Sequence, residues 1–244
     1  MLLAISGCLL GHKVRFDKGH KRDTFVMEEL SRYTEYVSFC PEDMAFGSPR
    51  PSIRVVETDG ENRIISNKTE EDVTDTLRKS SQADFDNISK HKLGGIILKS
   101  KSPSCGLGSA KVYLPNGFAT SKGDGMFAAM CKVAYPLLPI EEEGRLCDAW
   151  LRENFIMQLF AYDAFETFKV DATLGKLVEF HRVNKFLLQA KDENTYRKLG
   201  KLVGNHEAKE FALILEEYEF LYKTAIAKKS SVGKTRNVLE HMTG

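Results

Sequence analysis

An α/β domain, with a mainly parallel Rossmann-like sheet and helices on both its faces, followed by a smaller all-α domain, is predicted by three observations. Short apolar runs alternate with helix-like segments over the first 140 residues, as in chains of strands joined by crossover helices. From Glu141 the apolar spacing becomes persistently helical. At 244 residues with 42% apolar side chains, the chain can bury one large core or two smaller ones.

The elements follow in order. Strands are expected at Leu2 to Ser6, Tyr36 to Phe39, Ile53 to Glu57, Arg63 to Ser66, Gly94 to Leu98 and Lys111 to Leu114. A helix should cover Thr24 to Tyr33. A second should run from Glu70 to Ser89, with Val73, Leu77, Ala83 and Ile88 near one face and Thr69 as its cap. Phe118 to Gly125 reads as a loop, and the helix through Met126, Met130 and Val133 is stopped by Pro136. Glu141-Glu142-Glu143 reads as the acidic first turn of a helix. Leu146, Trp150, Phe155 and Leu159 mark a long connecting helix, followed by helices over Leu177 to Ala190, Asn194 to Val203 and Ala208 to Ala227. A domain boundary is expected near Phe168 to Thr173, giving domains 1–168 and 169–244.

Charge narrows the functional classes. Lys and Arg number 35 against 34 Asp and Glu, so bulk charge gives no reason to expect a protein that coats nucleic acid. The distribution is uneven, with 14 basic and 10 acidic residues from Lys169 onward against 21 and 24 before it. A mildly basic tail suits an anionic partner. Met1 to Ile5 is apolar but lacks a basic leader and is broken by Ser6-Gly7-Cys8, so no secretory signal is expected. No apolar run approaches the roughly 20 residues of a membrane span. A cytoplasmic protein without a membrane or a stable protein partner is therefore expected. Five scattered cysteines do not form a disulfide framework.

Three of those cysteines share one position relative to the expected strands. Cys8 follows the first strand, Cys40 ends the second, and Cys105 lies beyond Gly94 to Leu98 in the turn Ser102-Pro103-Ser104-Cys105-Gly106. Parallel strands end on one sheet edge, where ligands collect. Cys131 and Cys147 sit among apolar helical neighbours, where a thiol behaves as a small hydrophobe. Three thiolates leave several chemistries open. Zinc needs a fourth ligand, for which His20 is available. An iron–sulfur cluster on three cysteines leaves one iron free as a Lewis acid. A single nucleophilic cysteine with His20 as base is a third reading, and three unrelated buried thiols a fourth.

The segments "ISGCLLGHKVRFDKGHKRD", "FCPEDMAFGSPRPSIR", "ILKSKSPSCG" and "LPIEEEGRLCDAWLRENF" together resemble the thiouracil desulfurase family over residues 1 to about 160. The resemblance implies a 4Fe-4S cluster held by Cys8, Cys40 and Cys105 and a non-redox hydrolysis of a carbon–sulfur bond. It further implies Glu42 as the group that moves the proton of water and Ser102 and Ser104 as partners of the pyrimidine or its sulfur. Asp17 is expected to orient Arg15 or to position water. Arg50 and Arg54 flank Pro51 and are candidates for phosphate contact or for ion pairs. Phe16 stands where the family has tyrosine and Lys18 where glycine is frequent.

The second unit, "VEFHRVNKFLLQAKDENTYRKLGKLVG" through "KTRNVLEHMTG", resembles the YbgA-type helical domain, with Lys191 in place of the usual histidine and an expected shortening at its C-terminus. Fusions of the two resemble bacterial desulfidases of 4-thiouridine in tRNA, which implies tRNA as the partner and Arg182, Lys185, Arg197, Lys198 and Lys201 as candidate RNA contacts. The alternatives are a desulfidase of free thiouracil or thiolated nucleotides, and a metal-dependent RNA-binding regulator without turnover.

Overall fold

The computed structural model describes residues 1–205 and 210–243, so the expected helix start at Ala208 lies outside the described residues. The chain divides into two compact units, one of residues 1–136 and 140–147, the other of 137–139 and 148–244.

The first unit contains two four-stranded sheets. One is wholly parallel, with strands β1 (Leu2–Ser6), β2 (Glu35–Phe39), β5 (Leu93–Leu98) and β8 (Ile140–Glu142) in the order β2-β1-β5-β8. Every residue of β5 is buried, as expected for a central strand covered on both faces and written as a continuous apolar run. The second sheet, which the sequence did not separate from the first, holds β3 (Ile53–Thr58), β4 (Glu61–Ser66), β6 (Ala110–Tyr113) and β7 (Ala119–Gly123) in the order β4-β3-β6-β7. Only β3 and β6 are parallel in it; the outer pairs are hairpins. Its inner face packs Val55, Ile64 and Val112 on Leu77. Leu77 belongs to α2 (Thr74–Ile88).

Several expectations are corrected. The segment 118–125, read as a loop, supplies β7, because the turn at Gly117 (φ 85°) folds it back onto β6. Glu141 and Glu142 lie in β8, whose pairing with Ile97 and Leu98 outweighs their poor strand propensity. Thr24 to Tyr33 is a π-helical turn over Phe25–Glu29 followed by a 3₁₀ turn over Leu30–Arg32. The helix α2 starts four residues after the expected Glu70. Residues 70–73 return to β4 through Glu71 O and Val73 N, and Asp72 rather than Thr69 bonds Thr74 N. The short α1 (Pro41–Phe46) opens on a proline, as a first helical turn allows, and α3 is Met126–Ala134.

The second unit is all helical among its described residues: α5 (Ala149–Lys169), α6 (Leu174–Val183), α7 (Lys185–Gly204), α8 (Phe211–Ala227) and α9 (Val232–Thr243), with the short α4 (Glu143–Leu146) preceding it in the first unit. The division falls at Cys147/Asp148 rather than at 168/169. The reason is Phe165, fully buried on α5 and ringed by Phe168, Phe180, Tyr218 and Tyr222 at 5.2–6.2 Å. That helix is part of the helical core, not a tether to it. The expected single helix Leu177 to Ala190 is broken at Asn184, whose side-chain amide donates to Phe180 O. The break expected after Ala190 is a kink at Asp192, which leaves the helical backbone region and accepts from Thr195.

Burial sets the ionic energetics of this unit. Lys223 is 4% exposed, and its ammonium lies between Glu166 and Glu219, each at 2.6 Å. Burial opposes its charge, but these carboxylates outweigh it and raise the Lys223 pKa. Lys191, 1% exposed, has among the described residues the amide oxygen of Asn154 at 2.7 Å as the hydrogen-bond partner of its ammonium. Burial pulls its pKa down to about 8, with Glu153 opposing weakly. The folded state therefore holds this proton less tightly than the unfolded chain between pH 8 and the ordinary lysine value, and stability should rise as pH rises through that window. Lys191→Met is expected to raise neutral-pH stability by about 2 kcal/mol and to flatten that rise, measured by urea unfolding between pH 7 and 10. Among the described residues no helix is long and apolar enough to cross a membrane.

Candidate active site

The parallel register brings three distant cysteines to one sheet edge. Ser6 pairs with Phe39, and Ile5 with Ile97, so β2, β1 and β5 end side by side. Cys8 lies in the 3₁₀ turn Gly7–Leu10 directly after β1, closed by Gly11 at φ 94°. Cys40 stands between β2 and the first turn of α1, its N–H donating to Asp84 Oδ2 at 3.0 Å. Asp84 is 4% exposed, and burial pushes its carboxyl up to about 6 despite that bond. Cys105 follows β5 in a turn whose Ser102 Oγ accepts from the N–H groups of Ser104 and Cys105.

That turn is locked against α3. Gly125 N donates to Gly106 O at 2.7 Å, and Phe127 N and Ala128 N donate to Ser104 O. A Cβ on Gly125 would lie 2.5 Å from the Ser104 carbonyl carbon, so glycine is required for this approach. Further pins come from the glutamate run. Glu142, 5% exposed, accepts from Leu107 N and Ser109 Oγ; Glu143 accepts from Ser100 N and Ser100 Oγ and pairs with Lys99. Glu143 opens α4, but these acids hold the cysteine loop as well as favouring a helix start.

The three thiols line one cavity of about 320 Å³ together with Glu42, Ser102 and Ser104. Glu42 is held at both oxygens: Oε1 accepts from Ser102 Oγ at 2.9 Å and Ser104 Oγ at 2.7 Å, and Oε2 from Arg50 at 3.1 Å. The Arg50 side chain is 3% exposed. It also donates to Val14 O and Gly47 O. Of the two roles expected for it, phosphate contact or an ion pair, the structure shows the ion pair, which anchors the carboxylate. Arg15, Lys21, Lys99 and Lys101 complete the polar wall, so cations far outnumber acids there.

Each thiol feels the others. Burial, with the charge of Cys40 adding, pushes Cys8 up to about 12; burial and Cys105 do the same to Cys40; burial does so to Cys105 against the hydrogen bonds of Ser6 and Ser104. A thiol held neutral is a weak nucleophile, which counts against the cysteine-hydrolase reading. A bound metal centre supplies the positive charge that burial withholds. Among the described residues no three His, Cys, Asp or Glu side chains are gathered tightly enough to hold one metal ion. The three thiols share one cavity lining, and sulfur donors of this kind suit soft metals. His20, the expected fourth zinc ligand, is exposed, accepts from Arg22 N and does not line the cavity.

Other candidates fall elsewhere. Asp17 is half exposed, outside the cavity lining, with Oδ1 bonded to Gly19 N and 3.5 Å from Arg15. Arg54 is paired with Glu70 and Asn67. In the helical unit Arg182 and Arg197 are bound to Glu179 and Glu193 of their own helices, while Lys185, Lys198 and Lys201 are exposed. Cys131 is fully buried, and Cys147 is exposed. Sequence reasoning missed Lys99, Glu142 and Asp84. The signal for Lys99 was its position as the first residue past the buried strand; Asp84 lies 44 residues from its partner and left none.

A cavity at a parallel sheet edge thus sets three sulfur donors beside a clamped carboxylate and two hydroxyls. The 2-thiouracil desulfurase family matches residues 3–143, and the chain belongs to that family, whose members cleave a carbon–sulfur bond. Residues 185–244 match a second family, described as a protein of unknown function, DUF1722. The uncharacterized protein YbbK of Bacillus subtilis (strain 168) is 28% identical over 142 residues, covering 54% of this chain and 91% of that protein. A solved structure of a [4Fe-4S]-dependent thiouracil desulfidase, TudS, is 25% identical and covers 59% of this chain and 91% of its own, with a TM-score of 0.47.

Proposed function

We propose that this chain is a desulfidase that converts 4-thiouridine in tRNA to uridine and hydrogen sulfide, using a 4Fe-4S cluster held by Cys8, Cys40 and Cys105. The observation that carries this reading is the meeting of three thiols from separate strand ends in the cavity that also holds Glu42, Ser102 and Ser104. When bound, the cluster supplies a Lewis-acidic iron for the thione sulfur, so that water attacks the ring carbon without electron transfer. Glu42 takes the proton of that water. Ser102 and Ser104 hold Oε1 in place and carry the proton onward, and Arg50 fixes Oε2. The balance is one water consumed, one C=S replaced by C=O and one hydrogen sulfide released.

A base stacked within RNA is out of reach of such a cavity until it is exposed. Binding energy from the rest of the RNA offsets that cost. Exposed Lys185, Lys198 and Lys201 of the helical unit are our candidates for part of that grip. Anaerobically reconstituted protein should release sulfide from bulk thiolated tRNA and bleach its 4-thiouridine absorbance. Release from free thiouracil but not from tRNA overturns the substrate, and tRNA binding without bleaching overturns the enzyme reading.

A further inference from the structure

Beside the catalytic cavity lies a second cleft of about 450 Å³, lined by Arg54, Lys101, Lys111 and Tyr113 among others, and adjoining the cavity at Ile53, Lys101 and Pro103, which line both. Its acidic residue, Glu70, is already bound to Arg54. The geometry points to this cleft as the track for the nucleotide next to the one undergoing reaction, with Lys101 and Lys111 on its phosphates and its base stacked on Tyr113. This rests on the reading of the substrate as RNA, and it places part of the grip on the first unit itself.

Three features carry it. Lys111 and Tyr113 project on the same side of β6, opposite to the buried Ala110 and Val112, because side chains alternate along a strand. Lys111 faces Lys122 directly across the β6–β7 pair, both exposed and neither ion-paired among the described residues. Like charges directly opposite each other destabilise a sheet, so such a pair calls for an anion. Lys101 sits at the junction of cavity and cleft with φ 60°, a conformation unfavourable for lysine, held by a 2.7 Å bond from its N–H to Ser109 Oγ. Backbone strain of this kind gathers at functional sites. Lysines on β7 also discourage edge pairing in a sheet whose edge it forms, but that role needs neither Tyr113 nor Lys101.

An aromatic ring among cations is how proteins hold single-stranded nucleic acid with little regard to sequence. A free base has no phosphate to place there, so the cleft favours a nucleotide embedded in a chain.

The test uses cluster-loaded full-length protein and a short single-stranded RNA carrying one 4-thiouridine, with binding read by fluorescence anisotropy across a salt series and turnover by sulfide release. The variant Lys111→Gln should bind several-fold more weakly and show a salt slope shallower by about 0.7, the share of the one phosphate that is no longer neutralised. Tyr113→Ser should weaken binding about tenfold with the salt slope unchanged. Turnover of free thiouracil should be unaltered in both. If the wild type binds and desulfurises the RNA and the variants match it in affinity and slope, the cleft assignment is wrong while the RNA reading stands. If the wild type turns over thiouracil and ignores the RNA, both fall together.

Discussion

Cys40→Ala is expected to lose its cluster and essentially all sulfide release while remaining folded. Cys40 reaches the cavity from the junction of β2 and α1, where Pro41 and Asp84 fix its backbone; alanine leaves that backbone bond intact and removes only the sulfur. Two remaining thiols cannot make up for the third, because burial holds each of them protonated unless a metal centre lowers its pKa. Iron and acid-labile sulfide per chain, counted anaerobically, should fall to near zero in this variant and likewise in Cys8→Ala and Cys105→Ala. Cys131→Ala serves as the contrast: it lies outside the cavity lining and should keep wild-type iron. Full iron content and activity in Cys40→Ala would remove the basis of the proposed chemistry.

Glu42→Gln should lower kcat by about 10² to 10⁴-fold, the usual contribution of a positioned acid–base group, with iron content unchanged. The amide still accepts from a serine hydroxyl but cannot take a proton from water. It also loosens the hold on the guanidinium of Arg50, 3% exposed, which keeps Asp43 at 3.6 Å as an ionised neighbour, so the stability loss should stay below the roughly 3 kcal/mol of breaking a buried pair outright. Kinetics and urea unfolding are therefore measured together. A variant that unfolds at wild-type urea concentration yet has lost activity locates the effect in chemistry; one with wild-type kcat refutes the role of Glu42.

The two variants separate holding the cofactor from moving the proton. Under the proposed function these tasks fall to different side chains lining one cavity wall. The same wall is tied from behind by Glu142, Glu143 and α3, which position the turn bearing Ser102, Ser104 and Cys105.

Much of this was legible in the amino-acid order. The apolar runs of β1, β2 and β5 and the glycine- and serine-rich turns after them placed Cys8, Cys40 and Cys105 at strand ends, because strand burial and turn chemistry are local. Glu42 was found by its nearness to Cys40 in sequence. The split into an α/β and a helical part was legible too, since the hydrophobic period changes. What only tertiary structure decided depends on partners distant along the chain. Ile140–Glu142 is a strand because β5 offers it an unpaired edge, and Ala119–Gly123 because β6 does. Arg50 became an anchor only when Glu42, Val14 and Gly47 closed around it. The long helix α5 joined the helical unit because Phe165 is surrounded by rings from α6 and α8. Local propensity and periodicity decide where elements begin and which way their side chains alternate; the pairing of edges and the satisfaction of buried charge are settled by contacts that no window of sequence contains.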